Sequence, residues 1–201
     1  MVCAEAPWAH AEKKTTLYKE RDEQLRAAFQ GAIATFPPEA VAYVDETGID
    51  RHMDRPYAWS PKGVPAPWWV PGRRYERTGI VAAQLGGRVV APMQYGGTMD
   101  AALFESWFGG ALLPCIGRGR VIVMDNARFH RKATLCEMAH QNGCLILFLP
   151  PYSPDLNPIE RLWAWIKARL RKVLRHFDSL DKAITDCFKA ILFCQDGTLL
   201  K

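Results

Sequence analysis

The chain reads as an α/β fold, a sheet with helices packed on its faces. Three observations carry this. Val121–Met124 and Leu145–Leu149 are short, unbroken apolar runs, the pattern of strands buried on both sides. Thr78–Leu85 and Arg88–Gln94 look like two strands joined at Gly86-Gly87, a hairpin signal. Between and after these strands, apolar residues recur at helical spacing.

The elements follow in order. Residues 1–38 read as a linker plus an N-terminal helix, with Leu25, Phe29 and Ile33 on one face. Phe36-Pro37-Pro38 ends that helix, because proline cannot continue it. The main domain spans 39–201. It opens with a buried strand, Val41–Val44, that ends in Asp45-Glu46-Thr47-Gly48. Residues 51–77 are irregular, with five prolines, three tryptophans and a cluster of Arg73, Arg74 and Arg77.

After the hairpin, Leu103, Phe104, Trp107, Phe108, Ala111 and Leu112 mark a helix that Gly109-Gly110 weakens. The strand Val121–Met124 ends in Asp125-Asn126, and a helix over 132–142 stops at Asn142-Gly143. Leu145–Leu149 is a third buried strand. The stiff loop Pro150-Pro151-Tyr152-Ser153-Pro154 leads to Asn157-Pro158, where Asn is the expected cap and Pro the first helical residue. Ile159, Leu162, Trp163, Ile166, Leu170, Val173 and Leu174 form the apolar stripe of that helix. Asp178 is the expected cap of a last helix that buries Leu180, Ile184, Phe188 and Ile191.

Composition narrows the function. A net charge of +5 over 201 residues favours an anionic partner such as nucleic acid. The six cysteines include no C-x-x-C pair, so neither a zinc ribbon nor a disulfide framework is expected. No apolar run approaches the roughly 18 residues of a membrane span. A cytoplasmic protein is the expectation.

Asp45 and Asp125 each follow an apolar strand, where open α/β sheets bind ligands. Glu160 lies in the first turn of the helix after a third strand. If those strands are neighbours, three carboxylates share one side of the sheet. Clustered carboxylates repel one another, and a divalent cation relieves the repulsion. Oxygen-only ligands suit Mg²⁺ or Mn²⁺, and a pair of such ions suits phosphodiester chemistry. The residues also admit a plainer reading. An Asp after a strand is commonly a turn residue, and Asn157-x-x-Glu160 matches a capping box.

Three segments resemble known motifs. They are Tyr43-Val-Asp-Glu-Thr-Gly48, Val123-Met-Asp-Asn-Ala127 with His130, and Pro150-Pro-Tyr-Ser-Pro-Asp-Leu-Asn-Pro-Ile-Glu160. Together they resemble bacterial insertion-sequence transposases of the mariner superfamily, as do Ala58-Trp-Ser-Pro-Lys-Gly63 and the 34 residues between Asp125 and Glu160. The resemblance covers about 40–190. It implies a ribonuclease H-like mixed sheet flanked by helices, with a DDE triad of Asp45, Asp125 and Glu160. It also implies two Mg²⁺ (or Mn²⁺) ions, nicking at element ends, and 3′-hydroxyl attack on target DNA at a TA dinucleotide. Asp45 is expected to bridge both ions, with Asp125 and Glu160 holding one each.

Members of that superfamily usually begin with helix-turn-helix domains, for which residues 1–40 have no room. A separate helix-turn-helix partner from an upstream reading frame is therefore expected, along with a homodimer. Two rival readings keep the fold: a nuclease that only cleaves, and an inactive remnant that binds DNA or a partner without turnover.

Six further positions are candidates. Asn126 and His130 stand beside the second acid and are candidates for supporting a metal-bound water or phosphate. Lys167 and Arg171 share a helix face with Glu160 and Ala164 and could hold the DNA backbone. Arg73 and Arg74 could do the same, or serve a dimer contact.

Overall fold

The computed structural model describes residues 19–51, 60–61, 64–65, 67 and 77–195, with side chains to Ile191. Arg73, Arg74, Trp68, Trp69 and most of the segment 58–63 lie outside the described residues, so the expectations placed on them stay as stated above.

Five strands form one mixed sheet. In chain order they are β1 (Val41–Asp50), β2 (Arg77–Leu85), β3 (Arg88–Gly96), β4 (Val121–Met124) and β5 (Leu145–Phe148). Across the sheet the order is β3-β2-β1-β4-β5. β1 and β2, and β2 and β3, pair antiparallel, while β1, β4 and β5 run parallel. The hairpin turn falls at Gly86-Gly87 as expected. Its φ values of +55° and +79° are ones that glycine adopts without steric cost.

β1 is longer than its apolar run suggests. Its parallel pairing with β4 covers only Val41–Tyr43, but antiparallel pairing with β2 continues from Ala42 to Asp50. Asp45 therefore lies within the strand, opposite Ala82, rather than beyond its end. The partner strand supplies the backbone hydrogen bonds, so the polar residues need not end the strand. β5 departs in the other direction. It is an edge strand, and Leu145 is 56% exposed where a buried strand was expected.

Helices cover both faces. One face carries α2 (Ala101–Trp107), a wider π-type turn over Phe108–Leu112, α3 (Leu113–Ile116) and α4 (Lys132–Gln141). Gly109-Gly110 does not end the helix but widens it. A Cβ at Gly109 would sit 2.7 Å from Met138 Cε, so the missing side chain leaves room for the tip of Met138. Phe104, Phe108, Leu112, Leu135 and Ala139 pack there on Ala42, Val44, Ile122 and Met124.

The other face carries α5 (Ile159–Val173) and α6 (Leu180–Gln195). Ile159, Trp163, Ile166 and Leu170 meet Leu180, Ile184, Phe188 and Ile191 over Ile49, Ile80 and Ala82. Burying each such side chain contributes roughly 1.5–3 kcal/mol. The cap of α6 is Ser179, whose Oγ accepts from Lys182 N at 3.3 Å. The expected cap, Asp178, instead takes Lys182 Nζ at 3.3 Å.

The N-terminal helix α1 (Glu23–Ile33) is capped by Asp22, which accepts from Gln24 N and Leu25 N. Its packed face is shifted from the expected one. Leu25 is 51% exposed, whereas Arg26 and Phe29 are buried, because Arg26 turns inward to Asp155. Phe29 joins Val41, Val123 and Leu149 in a small core of its own. Among the described residues no helix is long and apolar enough to cross a membrane.

Candidate active site

The cleft that holds the acids lies where the parallel pairing of β1 and β4 stops. Past Tyr43 and Val123, β1 continues beside β2, while the chain after β4 turns away at Asp125. The two strands thus separate around their acids. The loop 149–157 and the first turn of α5 close the far side. The resulting cleft has a volume of about 370 Å³, and Asp45, Asp125 and Glu160 all line it.

Each acid is placed differently. Asp45 is half-buried and takes a hydrogen bond from Trp163 Nε1 at 2.9 Å. Burial pushes its carboxyl up to about 7; Trp163 offsets part of this, and the charges of Glu160 and Asp125 push it further up. Asp125 is exposed, with Oδ1 accepting from Ala127 N at 3.0 Å and standing 3.3 Å from His130 Nδ1. Burial acts upward on Asp125 as well, but the hydrogen bonds from His130 and Ala127 outweigh it and hold the carboxyl below its ordinary value.

Glu160 is exposed in the first turn of α5. The capping box its spacing allowed does not form. Asn157 N donates to Pro154 O at 2.9 Å, Pro158 rather than Asn157 stands at the cap, and no side chain caps the helix. Asn157 also leaves its buried Oδ1 without a hydrogen-bond partner. The fixed ring of Pro158 takes over the start of the helix and leaves the Glu160 carboxylate to the cleft.

The flanking candidates separate. His130 is buried between two carboxylates, with Nε2 3.5 Å from Glu46 Oε1 and its ring 4.3 Å from the centroid of Phe104. Burial opposes its charge, yet Asp125 and Glu46 outweigh it and hold the imidazole up to about 9. Asn126 lines the cleft, but its side chain is engaged: Nδ2 donates to Leu149 O at 2.6 Å and Oδ1 accepts from Lys132 Nζ. It ties the ends of β4 and β5 together. Lys167 is half-buried and Arg171 exposed on α5.

Sequence reasoning missed four residues of the site. Along the chain Trp163 reads as part of the apolar stripe, and Glu46 as an ordinary residue of the first motif. Arg128 and Tyr152 also line the cleft, the latter with a φ of +53°. A lone Arg or Tyr in a loop carries no periodic signal. The indole nitrogen of Trp163 was the one hint that an apolar position had polar work to do.

Among the described residues no three acid, histidine or cysteine side chains stand close enough to grip a metal ion as they lie. The three acids line the walls of the cleft without closing on one point. The donor set nevertheless fits a hard divalent cation. It is all oxygen, and Mg²⁺ keeps several waters and binds through one or two carboxylates. A half-buried carboxyl pushed up by burial and by neighbouring acids is also the kind of group that such a cation relieves.

Comparison with known proteins gives the family. Residues 40–184 match the family described as DDE superfamily endonuclease. The Tcb1 transposase of Caenorhabditis briggsae is 32% identical over 81 residues, covering 38% of this chain and 30% of that protein. The Mos1 transposase paired-end complex with left transposon end aligns with a TM-score of 0.64 at 16% identity, over 94% of this chain and 60% of that one. The Mos1 mariner paired-end complex with Mn aligns at 0.63 and 16%, over 92% and 60%. The chain thus spans less than two thirds of these proteins, and the structural likeness shows a shared ribonuclease H-like fold. With a family match over most of its length and that fold beneath it, the chain belongs to the DDE superfamily endonucleases.

Proposed function

We propose that this chain is the catalytic part of an insertion-sequence transposase, cutting and joining DNA at the cleft of Asp45, Asp125 and Glu160. One observation carries the reading. Carboxylates from β1, from the end of β4 and from the start of α5 line a single cleft, although 34 residues separate the last two in sequence.

In this reading Asp45, Asp125 and Glu160 would together hold two divalent cations. Mg²⁺ or Mn²⁺ at these carboxylates would activate an attacking hydroxyl and stabilise the departing oxygen of a phosphodiester. The chain's own residues prepare that site. Trp163 orients Asp45 from below, and His130 orients Asp125 while balancing Glu46. Asn126 locks the strand ends, and the proline-rich loop walls off one side. Arg128 at the rim, with Lys167 and Arg171 along α5, would hold DNA phosphates.

The partners that go with this function are transposon-end DNA and target DNA carrying a TA dinucleotide. A second copy of the chain and a helix-turn-helix protein recognising the element ends would complete the assembly in the cytoplasm. In this reading residues 39–201 are the catalytic domain and 1–38 a linker and N-terminal helix.

Incubation of labelled DNA with Mg²⁺ or Mn²⁺, with and without such a helix-turn-helix protein, tests the proposal against the Asp125→Ala variant. Cleaved and joined products from the parent chain alone are expected. Cleavage without joining would mark a simple nuclease. Equal product from both proteins, or none from either under any condition, would overturn the reading.

A further inference from the structure

The helix that delivers Glu160 to the cleft has a second face that the catalytic reading leaves unused. Arg161, Trp165, Ala168 and Lys172 are spaced four, three and four residues apart on α5, and all four are exposed. They form one stripe, adjacent to the Glu160–Lys167–Arg171 face but distinct from it. Trp165 is 46% exposed on a helix whose other tryptophan, Trp163, is buried.

The surroundings are specific. Trp165, Ala168, Arg169, Lys172 and Val173 outline a shallow groove of about 260 Å³. The Arg169 guanidinium lies 5.8 Å from the centroid of the Trp165 ring and is held there by Asp186 at 3.6 Å. Arg161 and Lys172 have no ion-pair partner among the described residues. The solvent side of α5 therefore carries five cations, Arg161, Lys167, Arg169, Arg171 and Lys172, against the carboxylates of Glu160 on the helix and of Asp186 beside Arg169. A neutral protein partner would leave those charges unmatched; a polyanion matches them.

We propose that this stripe is a track for the backbone of duplex DNA leading away from the cleft. Arg161 and Lys172 take phosphates, and Trp165 packs on the deoxyribose between them. The idea deepens the transposase reading by naming the surface that holds the DNA flanking the reacting phosphate. Direction and reach follow from the helix. Lys172 stands about 18 Å beyond Glu160 at 1.5 Å per residue, a span of roughly five base pairs at 3.4 Å each.

The test measures binding of the full chain to a labelled duplex in EDTA, across a range of salt concentrations, so that no turnover is needed. Removing two phosphate contacts in Arg161→Ala/Lys172→Ala should flatten the slope of log K against log salt by about 1.8. Affinity at low salt should fall roughly tenfold or more. Trp165→Ala should weaken binding severalfold without changing the slope, and Trp165→Phe should retain most of it. Arg118→Ala/Lys189→Ala, which removes equal charge elsewhere, should leave the slope unchanged.

Unaltered slope and affinity in the stripe variants would overturn the proposal. So would a change in oligomer mass in Trp165→Ala with DNA affinity intact, which would assign the face to a second copy of the chain. Loss of metal-dependent cleavage in the parent chain bears on the catalytic reading and not on this one, because the binding assay contains no metal.

Discussion

Trp163 Nε1 donates to Asp45 Oδ2 at 2.9 Å, joining residues 118 apart in sequence. The bond ties the helix of the third acid to the strand of the first. Trp163 is 2% exposed, so its ring is locked by the core of α5 and α6 while its single donor reaches the cleft. The position of one acid is thus set by the packing that places another.

Trp163→Phe should keep most of the apolar packing and lose the donor. Stability should fall by about 1 kcal/mol for the lost hydrogen bond. Metal-dependent cleavage should fall more than that loss of stability explains. The pH at which metal binding reaches half its maximum should move upward, because Asp45 loses a group that favours its charged form. Parallel thermal melts and cleavage assays across pH would show a shift only if Trp163 acts on Asp45.

Asp45, pushed up to about 7 by burial, would make binding of a divalent cation there depend on pH. A cation needs the deprotonated carboxylate, so apparent Mn²⁺ affinity should rise about tenfold per pH unit up to about 7 and then level off. Metal-free stability runs the other way. A folded carboxyl raised above its unfolded value favours folding at low pH, and that contribution is lost as pH rises through about 7. Melts with and without Mn²⁺ should therefore diverge most above neutral pH. A metal-induced shift that is the same at acid and neutral pH would rule out this role for Asp45.

His130 extends the same trend to higher pH. Its imidazole is held up to about 9 by Asp125 and Glu46 despite burial. The charged pairing therefore contributes fully below about 6.5 and is lost as pH rises through about 9. The loss should be about 3 kcal/mol for the metal-free protein. His130→Asn should abolish that slope, as read by chemical unfolding at a series of pH values.

Arg26 reaches from α1 to the loop beside the cleft, donating to both carboxylate oxygens of Asp155 at 3.0 and 2.6 Å. Arg26 is buried and Asp155 half exposed, so Arg26→Ala should cost about 1–2 kcal/mol, less than breaking a fully buried pair. The loop 150–157 should then exchange its amide hydrogens faster while β4 stays protected. Hydrogen-exchange mass spectrometry would separate this from general destabilisation.

Lys167→Ala/Arg171→Ala should lower the salt slope of DNA binding by about 1.8. A slope equal to the parent's would remove both residues from the DNA surface.

Much of this was legible along the chain. Apolar runs located the strand cores, Gly86-Gly87 the hairpin and the apolar stripe the buried side of α5, because periodicity reports which face of an element avoids water. The same patterns put Asp125 at the end of β4 and Glu160 in the first turn of α5, where the structure places them.

What the chain could not show was which polar group meets which. That depended on β1 lying between β2 and β4, an order that no local pattern encodes. With β1 there, β2 carries the strand past Asp45, β4 leaves room for a cleft, and α5 crosses so that Trp163 meets Asp45. Long-range packing likewise brought His130 between Asp125 and Glu46, and Arg26 to Asp155. Local propensity is additive along the chain, whereas hydrogen bonds and charge pairs depend on distances that only the assembled sheet sets.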